Sequence, residues 1–309
     1  MKILVTGCGG MLGSAMYAIL PGFGHELLAT DLIADEPWLR QLDVRDEARL
    51  LHTIDEFRPD AIFHLAAVTD LEWSEQNPAE TAATNAHATG SIARLCASKD
   101  LTLVYISTAG IFDGEKPAPY DERDLPAPIM VYGRTKLDGE LAVRAEHAEH
   151  FIVRAGWMFG GNHKDHKFVS KIAAQIRGGA TELYAVDDKF GTVTYTQDFA
   201  ANLQVLIESQ QYGTYHMVCE GGCTRYDVAR EIVDALGRPE VPVHSVPSDH
   251  FSEEYFAPRP RSEMMVNRAL QEAGLNRMRP WRIALRDYLD STDKVGLNVR
   301  RSAAVRSAT

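Results

Sequence analysis

Apolar and polar positions along this chain follow two periods, and the two alternate. KILVT (Lys2–Thr6) is a short apolar run that reads as a buried strand. HELLATD (His25–Asp31), DAIFHLAA (Asp60–Ala67), LTLVYIST (Leu101–Thr108) and HFIVRAG (His150–Gly156) read the same way. Helical spacing fills the intervals: Met11–Leu20, Asp46–Phe57 with Asp46 as its cap, about Pro78 to Ser98 with Pro78 in the first turn, and Val131–Glu149. Apolar strands each followed by a helix predict an α/β fold, a doubly wound parallel sheet with helices on both faces. After Gly156 the alternation loosens. Gly161–Lys167 is polar and loop-like, Thr214–Val218 and Val241–Val246 are expected as short strands around a helix at Tyr226–Gly237, and Trp281–Ser291 as a last helix. The expected division is a first domain over 1–156 plus part of 190–212, and a smaller α/β lobe over the remainder of 157–292. The stretch 293–309 has little apolar pattern and is expected as a mobile tail.

Composition narrows the class. The chain has 309 residues, 45% of them hydrophobic and 24% charged, which is ordinary for a soluble globular protein. No run approaches the ~18 apolar residues of a membrane span. The N-terminus enters a strand directly and lacks a signal peptide's apolar segment and cleavage site, so a cytoplasmic location is expected. A net charge of −11 argues against nucleic acid as the main partner. It leaves room for a small anion, which needs only local donors and a helix N-terminus. Cys8, Cys96, Cys219 and Cys223 are too few and too irregularly spaced for a disulfide framework. Cys219 and Cys223 lie near His216 but lack a second ligand pair with zinc spacing, so no metal is expected and the cysteines read as small buried residues.

The first strand runs into TGCGGMLG, with Gly7, Gly10 and Gly13, and a helix follows. Glycines so placed let the chain turn tightly, approach a pyrophosphate and aim a helix N-terminus at it; a strand–helix turn without a ligand is the plainer alternative. The second strand ends at Asp31, whose carboxylate can accept from ribose hydroxyls and would repel a 2′-phosphate. Leu32, Ile33 and Ala34 come next, with no arginine, so NAD(H) is expected ahead of NADP(H). Thr108 places a hydroxyl at the carboxyl edge of the sheet, where ligands sit. Tyr132 and Lys136 form YxxxK and share one helix face. An ammonium beside a phenol lowers its pKa from ~10 and readies it for proton transfer near neutrality. YxxxK alone is common; the order of glycine turn, Thr108, Tyr132 and Lys136 gives it weight.

GxxGxxG spacing, HLAA (His64–Ala67) and Asn85 of TNAHATG resemble the extended short-chain dehydrogenase/reductase superfamily. IFDG, YGRTKLDGE, Arg154 and Trp157 of RAGWMFG, VDDKFGTVTYTQDFA, GTYHMVCEGGCTRYDVAREIVDALG and APRPRS (Ala257–Ser262) resemble, in order, the dTDP-4-dehydrorhamnose reductase family over Met1 to Leu289. The resemblance implies a Rossmann-type sheet with a substrate-binding lobe. It implies NAD(P)H-dependent reduction of the 4-keto group of a nucleotide-diphosphate 6-deoxy sugar, dTDP-4-dehydrorhamnose to dTDP-L-rhamnose. Thr108 would hydrogen-bond the carbonyl oxygen, Tyr132 would protonate the alkoxide, and Lys136 would hold the nicotinamide ribose and tune Tyr132. The implied cofactor set is Gly7, Gly10, Met11, Leu12, Gly13, Asp31, Asp43 (beside the adenine), Val44, Ala66, Ala67, Asn85, Tyr132 and Lys136. The implied substrate set is Val68, Ala109, Trp157, Arg259 and Arg261. The lysines of GNHKDHK (Gly161–Lys167) either meet a pyrophosphate or lie on a solvated loop. His64, inside an apolar strand, reads as structural.

The family usually carries STDYVFDG where this chain has STAGIFDG. Ala109 and Gly110 leave more room and fewer polar contacts, so the particular sugar and its stereochemistry stay open. They also lack the Asp–Glu pair of sugar-nucleotide 4,6-dehydratases. A 4-epimerase that retains NAD and a non-catalytic NAD(P)-binding regulatory subunit are the remaining alternatives. Neither nucleic acid nor membrane is expected as a partner, and monomer and homodimer are both left open.

Overall fold

The structure is a computed structural model and describes residues 1–292; the expected tail lies outside them. In chain order the first half runs β1 (Lys2–Thr6), α1 (Met11–Ile19), β2 (Glu26–Asp31), β3 (Arg40–Gln41), α2 (Glu47–Phe57), β4 (Ala61–His64), α3 (Leu71–Gln76), α4 (Pro78–Ala82), α5 (Ala88–Lys99), β5 (Thr102–Thr108), α6 (Val131–Glu146) and β6 (His150–Ala155). The second half runs β7 (Trp157–Phe159), α7 (Phe168–Arg177), β8 (Leu183–Val186), β9 (Phe190–Gly191), β10 (Val193–Tyr195), α8 (Thr196–Glu208), β11 (Gly213–His216), β12 (Cys223–Thr224), α9 (Arg225–Ala235), β13 (Val243–Val246), β14 (Ser262–Glu263) and α10 (Arg268–Glu272). A last helix, α11, covers 281–292.

Seven parallel strands form the central sheet in the order β11-β6-β5-β4-β1-β2-β3. The chain winds outward from β1 to β3 and then returns to β4, so the winding reverses between β1 and β4. In a doubly wound sheet the crevice at that point is where a nucleotide lies. Successive strand residues face opposite sides, which divides the core in two. Ile3, Val5, Phe63, Val104 and Val153 pack with α1, α8 and much of the second half. Leu4, Ile62, Leu103 and Ile152 pack on the other side with Leu50, Ile92, Cys96 and Val143.

Asp46 caps α2 by accepting from the Arg49 amide, and Pro78 opens α4, both as expected. Three expectations need correcting. The helix expected from Pro78 to Ser98 is interrupted by a π-helical turn, Ala83–His87. The helix expected to end at Glu149 ends at Glu146. The strand expected at Thr214–Val218 forms as β11, but it joins the central sheet beside β6 rather than the smaller lobe. All four cysteines are buried and free.

Candidate active site

At the nucleotide edge Gly7 and Gly13 are required by contact. Gly7 has φ +70°, and a Cβ on it would lie 2.5 Å from the Ala66 amide nitrogen. A Cβ on Gly13 would lie 2.4 Å from the Cys8 backbone. Gly10 precedes α1, whose first amides receive no side-chain cap. Those donors face the crevice between β1 and β4, so the cradle fits an anionic dinucleotide. Asp31 ends β2 and accepts from the Gly9 amide at 2.9 Å. Asp43 is gripped by Arg45 at 2.6 Å, and that pairing holds its carboxyl below the usual range. Leu12 and Val44 direct their side chains into the core, leaving only their backbone for a ligand. Ala66, Ala67 and Val68 are half-buried at the carboxyl end of β4.

Asn85, expected at the cofactor, is 0% exposed. Its side chain bonds both backbone groups of Val68, at 2.8 and 3.0 Å, and the Thr135 hydroxyl at 3.2 Å. It positions the crevice wall instead of lining it. His64 is structural as expected: it bonds Thr6 at 2.8 Å and Thr89 at 3.0 Å, and burial, with the Lys136 charge, pulls it down to about 3.

The helix α6 carries Tyr132, Lys136 and Glu140 at four-residue intervals, hence on one face. Its N-terminus is fixed from outside, since the Val131 amide donates to Glu75 Oε1 at 2.7 Å. Gly133 permits the approach to the turn after β5, because a Cβ there would meet the Gly110 carbonyl oxygen at 2.0 Å. The close packing brings Tyr132 beside Thr108, whose hydroxyl favours the ionised phenol. The Thr108 Oγ1 also accepts from the Gly110 amide at 3.1 Å. Lys136 lies 4.1 Å over the Tyr105 ring.

Electrostatics here differ from the sequence expectation. Burial pushes the Tyr132 phenol up to about 12, with Thr108 opposing and the Glu263 charge adding to the rise. Burial pushes the Lys136 ammonium down to about 7, with Glu140 opposing. The protein alone therefore does not lower the phenol's pKa, because desolvation outweighs the opposing influence of Thr108. Beneath Lys136, Glu140 is 0% exposed and takes Arg154 at 2.9 and 2.7 Å and Arg144 at 2.8 Å. Burial would raise that carboxyl, but Arg154, with Arg144, holds it below the usual range.

The far wall gathers residues distant in sequence. Trp157 donates its indole N–H to Glu263 Oε2 at 2.8 Å, and the Arg225 guanidinium lies 4.0 Å over its ring. Arg259 donates to Glu72 at 2.7 Å, and Lys189 to the Arg259 carbonyl at 2.9 Å. Arg261 is exposed. Two substrate expectations change. Ala109 is 2% exposed and packs with Ile111, Phe112, Tyr120 and Met265, so its side chain is enclosed by that cluster. Trp157 is engaged already by Arg225 and by Gly191, where a Cβ would lie 2.5 Å from its ring. The GNHKDHK loop packs on α1, since a Cβ on Gly161 would meet Met11 Cα at 2.8 Å. Its Lys164 pairs with Asp35 at 3.2 Å and Glu36 at 3.5 Å. Glu263, Arg225 and Lys189 were not anticipated. The only sequence signal for Glu263 is an isolated acid before the apolar run MMV.

A glycine cradle at the reversal of a parallel sheet, with a hydroxyl, a phenol and an ammonium at the adjacent strand end, defines a Rossmann-type fold of the short-chain dehydrogenase/reductase kind. The chain belongs to the RmlD substrate binding domain family, whose match spans residues 1–294. It is 34% identical over 290 residues to the dTDP-4-dehydrorhamnose reductase of Mycobacterium tuberculosis, covering 92% of this chain and 91% of that one. Its fold is similar to that of a dTDP-4-dehydrorhamnose reductase from Clostridium acetobutylicum, with TM-score 0.87, 31% identity, and coverage of 95% of this chain and 100% of that one. It is also similar to the Bacillus anthracis reductase in complex with NADP, with TM-score 0.85, 28% identity, and coverage of 94% and 99%. Among the described residues no helix is long and apolar enough to cross a membrane.

Proposed function

We propose that this protein is an NAD(P)H-dependent reductase of the 4-keto group of a nucleotide-diphosphate 6-deoxy sugar, with dTDP-4-dehydrorhamnose as substrate and dTDP-L-rhamnose as product. The observation that carries the reading is the convergence of Thr108, Tyr132 and Lys136 beside the uncapped start of α1. The family match and the reductase relatives support it over an epimerase or a regulatory subunit. The first-turn amides of α1, with Gly7, Gly10 and Gly13, would hold the pyrophosphate, and Asp31 the adenosine ribose. A reduced nicotinamide bound there supplies hydride. Thr108 donates its hydroxyl hydrogen to the substrate's carbonyl oxygen as negative charge develops on it. Tyr132 gives that oxygen its proton, and its raised pKa keeps the phenol protonated until then. Lys136, over Tyr105, is placed to bond a ribose and to stabilise the phenolate that remains. The smaller lobe would hold the sugar nucleotide, and a cytoplasmic monomer or homodimer is the form in which we place it.

The test is absorbance of the reduced nicotinamide with NADH, and separately NADPH, and dTDP-4-dehydrorhamnose generated in situ. Oxidation that requires the sugar is the expected result. No oxidation with either cofactor, in folded protein that binds one of them, removes this sugar as substrate.

A further inference from the structure

Ala109 and Gly110 supply no polar side chain beside Thr108, so the sugar's polar contacts on that side must come from elsewhere. A Cβ built on Gly110 would lie 3.5 Å from Thr108 Oγ1 and 3.6 Å from Glu263 Oε1. Both oxygens thus border the position that the glycine leaves without a side chain. Glu263 arrives from the opposite wall, on β14, and Trp157 fixes it by donating to Oε2 at 2.8 Å. Among the described residues nothing donates to Oε1. Three cations lie near, and none of them pairs with this carboxylate: Arg259 is held by Glu72, Lys189 by the Arg259 carbonyl, and Arg225 stacks on Trp157 and Phe168. Glu263 is half-buried, and its Oε1, without a protein donor, is open to one that a ligand supplies.

We propose that Glu263 is a specificity-determining residue of the sugar subsite, its free Oε1 accepting a hydrogen bond from a ring hydroxyl of the substrate next to the reacting carbonyl. This rests on the reduction of a nucleotide-linked hexose proposed above and adds which chemistry the cleft selects. It favours sugars that present a hydrogen-bond donor at that position and disfavours sugars with an anionic substituent there, which the carboxylate repels. The closeness of the two groups has a second sign: the Glu263 charge helps to raise the Tyr132 phenol.

Glu263→Gln keeps the volume and an acceptor for the Trp157 indole, but turns the open position from acceptor to donor. Three quantities are measured on wild type and variant: KM and kcat for dTDP-4-dehydrorhamnose, binding of dTDP alone, and binding of NAD(P)H. The expected result is a KM for the sugar raised about tenfold or more, with dTDP and NAD(P)H binding within twofold of wild type. An unchanged sugar KM overturns the inference while the reductase reading stands. Should Glu263→Gln fail to fold, Gly110→Ala carries the test. Its methyl group would enter the space between the two oxygens, and the tightest contact, 3.3 Å, is with the flexible end of Met130. An unchanged KM in that variant also overturns the proposal. Wild-type protein that neither oxidises the cofactor with this sugar nor binds the sugar nucleotide better than dTDP overturns the reductase reading, and this inference with it.

Discussion

The two walls of the cleft are built from different materials. The nucleotide wall is mostly main chain: Gly7, Gly10 and Gly13, the first amides of α1, and one carboxylate that braces the turn through Gly9. Its geometry follows from covalent neighbours and from Gly7 and Gly13, whose Cβ positions are filled by other backbone. The opposite wall, where we propose the sugar lies (the sugar wall), is mostly side chain. Glu72, Trp157, Lys189, Arg225, Arg259 and Glu263 come from segments far apart, and the Glu72–Arg259 pair alone spans a separation of 187 residues. A side chain on that wall can change without moving any backbone, and with it one contact to the ligand. The difference suits a fold that keeps one cofactor and varies its substrate. Between the walls stands α6, which belongs to neither and serves both.

Removing the support of α6 breaks both walls together. Arg154→Met leaves the Glu140 carboxylate buried with Arg144 as its one remaining salt-bridge partner among the described residues. The expected cost is about 3–5 kcal/mol of folding stability, read by urea denaturation. A loss below about 1 kcal/mol would show that the buried pair does not hold the helix. Tyr132→Phe separates the walls instead. Turnover should fall by about 10² or more, with NAD(P)H affinity within a few-fold. Lost cofactor binding without a specific loss of turnover would assign Tyr132 to the nucleotide wall alone.

The same division explains what the sequence made legible. Strands buried on both faces, such as β1, β4 and β5, show as short apolar runs, and the glycine turn shows because its spacing is its function. Thr108, Tyr132 and Lys136 could be read from their order along the chain. The two-residue strands β3, β9, β12 and β14 could not, since tertiary contacts and not local pattern form them. Thr214–Val218 was legible as a strand but not by its partner, because its parallel pairing with β6 is made across the whole intervening smaller-lobe segment and α8. The π turn at Asn85 was hidden because it exists to reach Val68, 17 residues away. Glu263 was hidden because its partner Trp157 lies 106 residues distant. The pKa of Tyr132 was misjudged for a related reason: spacing shows the lysine, while burial is known only once the fold is.

Lys136 gives a smaller effect with a definite sign. In the folded protein burial lowers its pKa to about 7, whereas an unfolded lysine titrates near ~10.4. Between those values the unfolded chain binds the extra proton, so this group's contribution makes the fold more stable as pH rises. Lys136→Met removes that contribution. The buried thiols, pushed up to about 12, act in the opposite sense above ~8.5, but equally in both proteins, and cancel in the comparison. Between about pH 7.5 and 9, wild type should gain about 1–2 kcal/mol on the variant in urea denaturation of cofactor-free protein. A difference that is flat with pH would mean that Lys136 stays protonated in the fold.

The smallest effect tests whether the nucleotide wall has a side-chain determinant at all. Asp31 accepts from the Gly9 amide through Oδ2, and its other oxygen meets the Ile33 amide at a long 3.4 Å. Replacing it by alanine would remove the turn's brace together with the charge, and so would confuse two causes. Asp31→Asn keeps an acceptor for Gly9 and removes only the charge. If the carboxylate reads the ribose and repels a 2′-phosphate, the ratio of NADPH to NADH affinity should rise a few-fold, about 0.5–1 kcal/mol, with the melting temperature little changed. Titration of each cofactor by fluorescence measures it. Equal shifts for both would mean that Asp31 serves the turn alone, and that the nucleotide wall is main chain throughout.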